Sequence, residues 1–274
     1  MQWKNLDEGP WIDAHCHMAD LRVQPFLQDW LQQSEELKIQ GHAMAGLDPS
    51  DWFRQMEIKK KFSEHQWWTC FGLHPYKVHE LKELSQLDQK MNQLSGVVSS
   101  ADLIGETGLD LRPAYASSFD LQLESMELHV ELAHFMNKPL VFHVVQAWKE
   151  FDHFLQWNPL SVPAIYHSFS LSAPKAQILL ERGFYLSIGP SVLNESNHRL
   201  HQALKHIPLD RILCETDLPD QKPQMIPDHQ DWKGLNPPSC LLLVAEKIAS
   251  IQNLSRDQVL DQSTKNFLKI VKSQ

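Results

Sequence analysis

The sequence predicts an α/β fold, a closed (β/α)8 barrel, on three observations. Eight short apolar runs rich in β-branched and aromatic residues alternate with longer stretches whose apolar residues recur at helical spacing. The runs are near-continuous rather than alternating, as expected of parallel strands covered on both faces. The length of 274 residues accommodates eight such repeats, about 250 residues being typical of this barrel. An open doubly wound sheet is the structural alternative. The turn after the first run, however, reads HCHMADLRVQP, with neither GxGxxG nor a Walker sequence.

In chain order, Trp11–His17 is followed by the helical pattern Pro25–Gln40, and His42–Leu47 by Ser50–Ser63. Trp67–His74 leads to Glu80–Leu94, and Asp102–Asp110 to Phe119–Met136. The stretch between the runs Pro139–Val145 and Pro163–Phe169 carries no assigned helix. Ala173–Arg182 follows the sixth run, and Asn194–His206 follows Phe184–Gly189. After the eighth run, Arg211–Asp217, the helical stretches Ser239–Ile251 and Ser255–Val271 close the chain. No low-complexity segment, short repeat or Gly/Ser linker divides it, so residues 1–274 read as a single barrel domain.

Composition narrows the function. With 25 Lys and Arg against 34 Asp and Glu, the formal net charge is −9; hydrophobic residues make up 42% and charged residues 22%. This is the balance of a soluble globular protein with its own core. An acidic chain does not coat long nucleic acid, a mode that runs on clustered Lys and Arg. It is compatible with an enzyme that grips a few phosphates through metal ions. Cys16, Cys70, Cys214 and Cys240 form no CxxC pair, the first residues show no leader, and no window approaches the roughly 18 apolar residues of a membrane span. The expectation is a cytoplasmic protein with four reduced, buried thiols, no membrane and no obligate protein partner.

Catalytic residues of such barrels lie at the C-terminal strand ends. Here the first run ends in His15-Cys16-His17, the third in His74, the fourth in GETGLD at 105–110 and the eighth in Glu215-Thr216-Asp217, while His143 and His167 sit in the fifth and sixth. Residues two apart on a strand share a face, which turns His15 and His17 toward the barrel axis and Cys16 outward. Most of the fifteen histidines, among them His42, His65, His79, His129, His134 and His153, read as structural. Converging imidazoles and carboxylates form a ligand set for borderline or hard divalent ions such as Zn, Mn, Co or Mg. Six ligands suit two divalent metal ions. His15, His17 and Asp217 are assigned to the first, His143 and His167 to the second, and Glu106 to the bridge. Glu106 and Asp217 are also the candidate catalytic carboxylates, with Asp217 orienting the attacking water and accepting its proton.

Together the elements DAHCH at 13–17, GLHP at 72–75, GETGLD at 105–110, PLVFH at 139–143, HSFS at 167–170 and ETDLP at 215–219 resemble the TatD family of metal-dependent deoxyribonucleases, within the amidohydrolase-like barrel superfamily. The resemblance runs from about residue 11 to 270. It implies two divalent ions on those six residues, phosphodiester cleavage at DNA ends, often from the 3′ end, and contact of His74 with a substrate phosphate. Four positions depart from the family pattern. Val145 replaces an Arg, Tyr76 a His and Leu171 a Gly, and Asn236-Pro237-Pro238 stands where the family has Asn-Glu-Pro. An alternative substrate is therefore a small phosphate ester, an amide or a lactone. A non-enzymatic binding scaffold is the third reading. The long Pro-rich segment from Leu218 to Pro238 carries Lys222, His229, Trp232 and Lys233, a mixture suited either to base stacking or to a rigid surface loop, whereas Trp67 and Trp68 read as core.

Overall fold

A computed structural model describes residues 10–272; the opening segment read as lacking a leader falls mostly outside them. Eight parallel strands follow one another around the sheet in chain order: β1 Trp11–Cys16, β2 Ile39–Met44, β3 Gln66–Phe71, β4 Leu103–Asp110, β5 Leu140–Val145, β6 Ala164–Tyr166, β7 Tyr185–Ile188 and β8 Ile212–Cys214. The helices between and after them are α1 Leu27–Glu36, α2 Pro49–Lys61, α3 Pro75–His79, α4 Leu84–Val97, α5 Phe119–Met136, α6 Trp148–Trp157, α7 Ala173–Glu181, α8 His198–Leu204, α9 Cys240–Gln252 and α10 Arg256–Lys272. Beyond the last strand the barrel is tied shut: the Asp217 N–H donates to the His15 carbonyl at 3.0 Å and the His17 N–H to the Leu218 carbonyl at 2.7 Å. This is the (β/α)8 barrel expected.

The core has an inner and an outer layer. Ile12, Ala43, Cys70, Leu103, Val141, Ile165, Tyr185 and Leu213, one from each strand, form a buried cluster with Phe267, Leu268 and Ile270 of α10. Outside the sheet, Phe142 of β5 and Phe151 of α6 lie 5.2 Å apart, and Phe184 packs on both. Side chains of this kind, when fully buried, each contribute about 1.5–3 kcal/mol. All four cysteines are buried and unbonded, as expected. No helix among the described residues is long and apolar enough to cross a membrane.

Several boundaries differ from those read in the sequence. The helix assigned to Pro25–Gln40 stops at Glu36, because Lys38 takes φ +61° and the chain enters β2 at Ile39. A helix left unassigned, α6, lies between β5 and β6; Phe151, Phe154 and Leu155 are its buried residues. The helix read over Asn194–His206 shortens to α8, where the Asn197 side chain caps it by accepting from Leu200 N–H. The eighth strand stops at Cys214 rather than Asp217.

His129 is one of the structural histidines, and it is neutral by construction. On α5, its Nδ1–H donates to the Ser125 carbonyl at 2.6 Å, and its Nε2 accepts the Leu73 N–H at 3.0 Å, bracing the chain just before His74. Burial pushes it down to about 4. Unfolded His129 takes up a proton below about pH 6.5, while the folded form does so only near pH 4, so stability falls as pH drops through this window. The loss amounts to about 3 kcal/mol at its end. Urea titrations between pH 8 and pH 4 should show it, and His129→Gln should flatten that segment of the curve.

Candidate metal centre

Two local irregularities aim the polar residues. On β1, Asp13 pairs with His42 and Cys16 with Met44, so three steps on one strand oppose two on the other. The extra residue reverses the alternation. Ile12 and Ala14 belong to the inner cluster, Cys16 packs outward with Met18 and Trp30, and His15 and His17 enter the site. On β4 the same offset separates Ile104↔Leu140 from Thr107↔Phe142. Gly105 lies inside it at φ +131°, where a Cβ would sit 2.4 Å from the Val141 carbonyl oxygen. Only glycine fits, and Glu106 follows it into the barrel.

The two oxygens of Glu106 face two groups of donors. Its Oε2 lies 3.4 Å from His15 Nε2 and 3.7 Å from His17 Nε2, which in turn lie 3.5 and 3.3 Å from Asp217 Oδ1. Four ligands about 2.1 Å from a tetrahedral ion stand about 3.4 Å from one another. His15 Nε2 and Glu106 Oε2 are moreover buried without a hydrogen-bond partner. Both facts fit a divalent ion. The other oxygen, Oε1, is 2.8 Å from His143 Nδ1 and 3.0 Å from His167 Nε2, and these nitrogens are 3.2 Å apart.

Carboxylates also stand behind the rings. Asp110 Oδ2 lies 3.3 Å from His143 Nε2 and Glu215 Oε1 lies 3.4 Å from His167 Nδ1. Each of these rings therefore lies between two carboxylates, with His143 Nδ1 and His167 Nε2 on the Glu106 side. Two imidazole nitrogens and a carboxylate oxygen within 3.2 Å of one another form a donor set that a cation can occupy. His74 differs. Its Nε2 is 3.5 Å from Glu106 Oε1, but its Nδ1 accepts the Tyr76 N–H at 3.1 Å, so the proton of the neutral ring is on Nε2. Burial, reinforced by the charge of His143, pushes His74 down to about 4. In that tautomer it is a donor at the edge of the second group, beside Glu106 and His143.

The charges agree with this arrangement. Burial would push Glu106 up, yet the surrounding imidazoles, His167 foremost, hold it well below the usual carboxylate range. Burial would likewise push His17 down, but the hydrogen bond and charge of Asp217 raise it to about 9. His167 rises well above its ordinary value against its own burial, chiefly through Glu106 and Glu215. The centre is built to hold positive charge.

The profile of the family described as TatD related DNase matches residues 12–272. The chain belongs to this family. Like other TatD-type proteins it is a metal-dependent hydrolase, and its relatives carry that description. An uncharacterized metal-dependent hydrolase of Buchnera aphidicola subsp. Baizongia pistaciae is 29% identical over 267 residues, spanning 94% of this chain and 95% of that protein. Human deoxyribonuclease TATDN3 is 22% identical over 267 residues, 94% of this chain and 93% of its own. Among solved structures, the TatD homologue YJJV from Escherichia coli K12 superimposes with a TM-score of 0.84 at 18% identity, covering 95% and 97% of the two chains. At that identity the likeness shows the fold.

The six residues singled out in the sequence, with His74, therefore meet at one end of this TatD barrel. Asp110, Glu215 and Asp13 were not singled out. Asp13 accepts from Thr216 N–H at 3.0 Å and from its hydroxyl, fastening β1 to the turn that carries Asp217. The signal available was their place inside the motifs, at 13, 110 and 215. In the Pro-rich loop Lys222 pairs with Asp228, and His229 stacks at 3.6 Å on Trp232, which packs against Phe26 and Trp30 outside the loop.

Proposed function

We propose that this chain is a two-metal phosphodiesterase acting on the ends of single-stranded DNA. The observation that carries the reading is the division of Glu106, one oxygen toward His15, His17 and Asp217 and the other toward His143 and His167. Those residues would hold the ions, Glu106 serving both. When bound, divalent ions neutralise phosphoryl oxygens and lower the pKa of water.

The chain's own groups do the rest. Asp217 is kept ionised against its burial by the hydrogen bond and charge of His17 and by His167 and His15, and Gln221 holds its second oxygen. It orients the attacking water and takes its proton. His74, braced by the Tyr76 ring at 4.1 Å, offers Nε2–H to a phosphate oxygen. A cavity of about 500 Å³ opens over the site, room for a chain terminus rather than a duplex.

The test follows an end-labelled single-stranded oligonucleotide with metal-loaded protein, with and without EDTA. A ladder shortening from the 3′ end, absent with EDTA, is the expected result. Metal-replete protein that turns over a small phosphate ester but leaves DNA untouched would overturn the DNA assignment and select the smaller substrate, which the net charge of −9 also favours.

A further inference from the structure

Two arginines line the cavity, Arg22 and Arg112, and they are in different states. Arg22 spends its guanidinium on Asp20 and, through two bonds of 2.8 Å, on Asp220. Its charge is more than balanced. Arg112 lies two residues beyond the end of β4. Its Nε and Nη2 both donate to Asp110, Nε at 2.9 Å to Oδ1, which fixes the plane of the guanidinium. Nη1 has no hydrogen-bond partner among the described residues, and the side chain is 45% exposed. The Arg112 Cζ sits 5.2 Å from the centre of the Tyr115 ring, another wall of the same cavity.

Across the ladder Asp110 pairs with Val145, whose carbonyl accepts the Leu111 N–H at 2.9 Å. The position facing the Arg112 turn is therefore aliphatic. We infer that Arg112, laid on Tyr115, is a subsite for a phosphate flanking the scissile one, so that the cavity prefers a strand with at least two consecutive phosphates to an isolated diester. This rests on the phosphodiesterase reading above. The chemistry suits it: a guanidinium clamped along one edge presents the other to an anion at little conformational cost, and an aromatic face beside it packs a sugar or base.

The closing experiment has two arms. In EDTA, anisotropy of a labelled single-stranded oligonucleotide is titrated at several salt concentrations. Arg112→Gln should weaken binding about tenfold at low salt, the order of one charge-assisted hydrogen bond. It should also reduce the slope of log K against log salt by about 0.7, the value of one single-strand phosphate, while Arg112→Lys keeps the slope. In metal-loaded enzyme, the glutamine variant should lose kcat/KM mainly through KM, and lose about tenfold more on the oligonucleotide than on bis(p-nitrophenyl) phosphate. Equal losses on both substrates with an unchanged salt slope would mean that Arg112 acts only through Asp110 and His143, and would overturn the subsite. A wild-type protein that neither binds nor cleaves the oligonucleotide would overturn the nuclease reading, and the subsite with it.

Discussion

Replacing Asp217 by Asn is expected to lower kcat on a single-stranded oligonucleotide by about a thousandfold, the scale of losing a positioned proton acceptor. The amide keeps an oxygen for the donor set but binds no proton near neutrality. Around it, His15 Nε2, His17 Nε2 and Glu106 Oε2 remain as donors 3.4 to 3.7 Å apart. Metal content measured by plasma mass spectrometry should therefore stay close to that of the wild type while turnover disappears. Turnover within about tenfold of the wild type would remove Asp217 from the proton-accepting role.

Glu106→Gln should act differently, and more severely. One carboxylate serves both donor groups, so the substitution removes the anion from each at once and leaves five imidazoles facing an amide. Metal should be lost on dialysis and turnover should fall below detection. A thermal readout separates this from a chemical defect. An ion at a hundred times its Kd stabilises the wild-type fold by about 2.7 kcal/mol, raising Tm, and the variant should show no such response. A variant that retains two ions per chain would show that Glu106 does not bridge.

The barrel and the donor set were legible because both rest on local periodicity. Apolar runs followed by helical patterns give the order of elements, and a polar residue at the C-terminal end of a run faces the catalytic side whatever the loops do. The means of aiming were not legible. His15 and Glu106 reach the interior through an inserted residue in β1 and in β4, and an insertion is defined only against the neighbouring strand. Gly105 was the one sequence trace of it. Asp110, Glu215 and Arg112 act on side chains of other strands, or on a ring three residues away, and no single-chain pattern reports such pairings. The eighth strand overran for a related reason. Asp217 takes φ +55°, so the turn carrying it has left the sheet while its composition still reads as strand. The helix α6 was missed although Phe151, Phe154 and Leu155 carry its spacing.

The seam between β8 and β1 has a consequence for how the enzyme comes into being. Thr216 and Asp13, which fasten that seam, are 203 residues apart in the chain, and the donor group of His15, His17 and Asp217 straddles it. A ribosome adding 5–20 residues per second needs about 10–40 s to travel from one side to the other. Throughout that interval the nascent polypeptide carries His15 and His17 without the Asp217 that stands beside them in the folded barrel. On the role proposed above for Asp217, which follows the last strand, translation products ending before it are expected to lack hydrolytic activity.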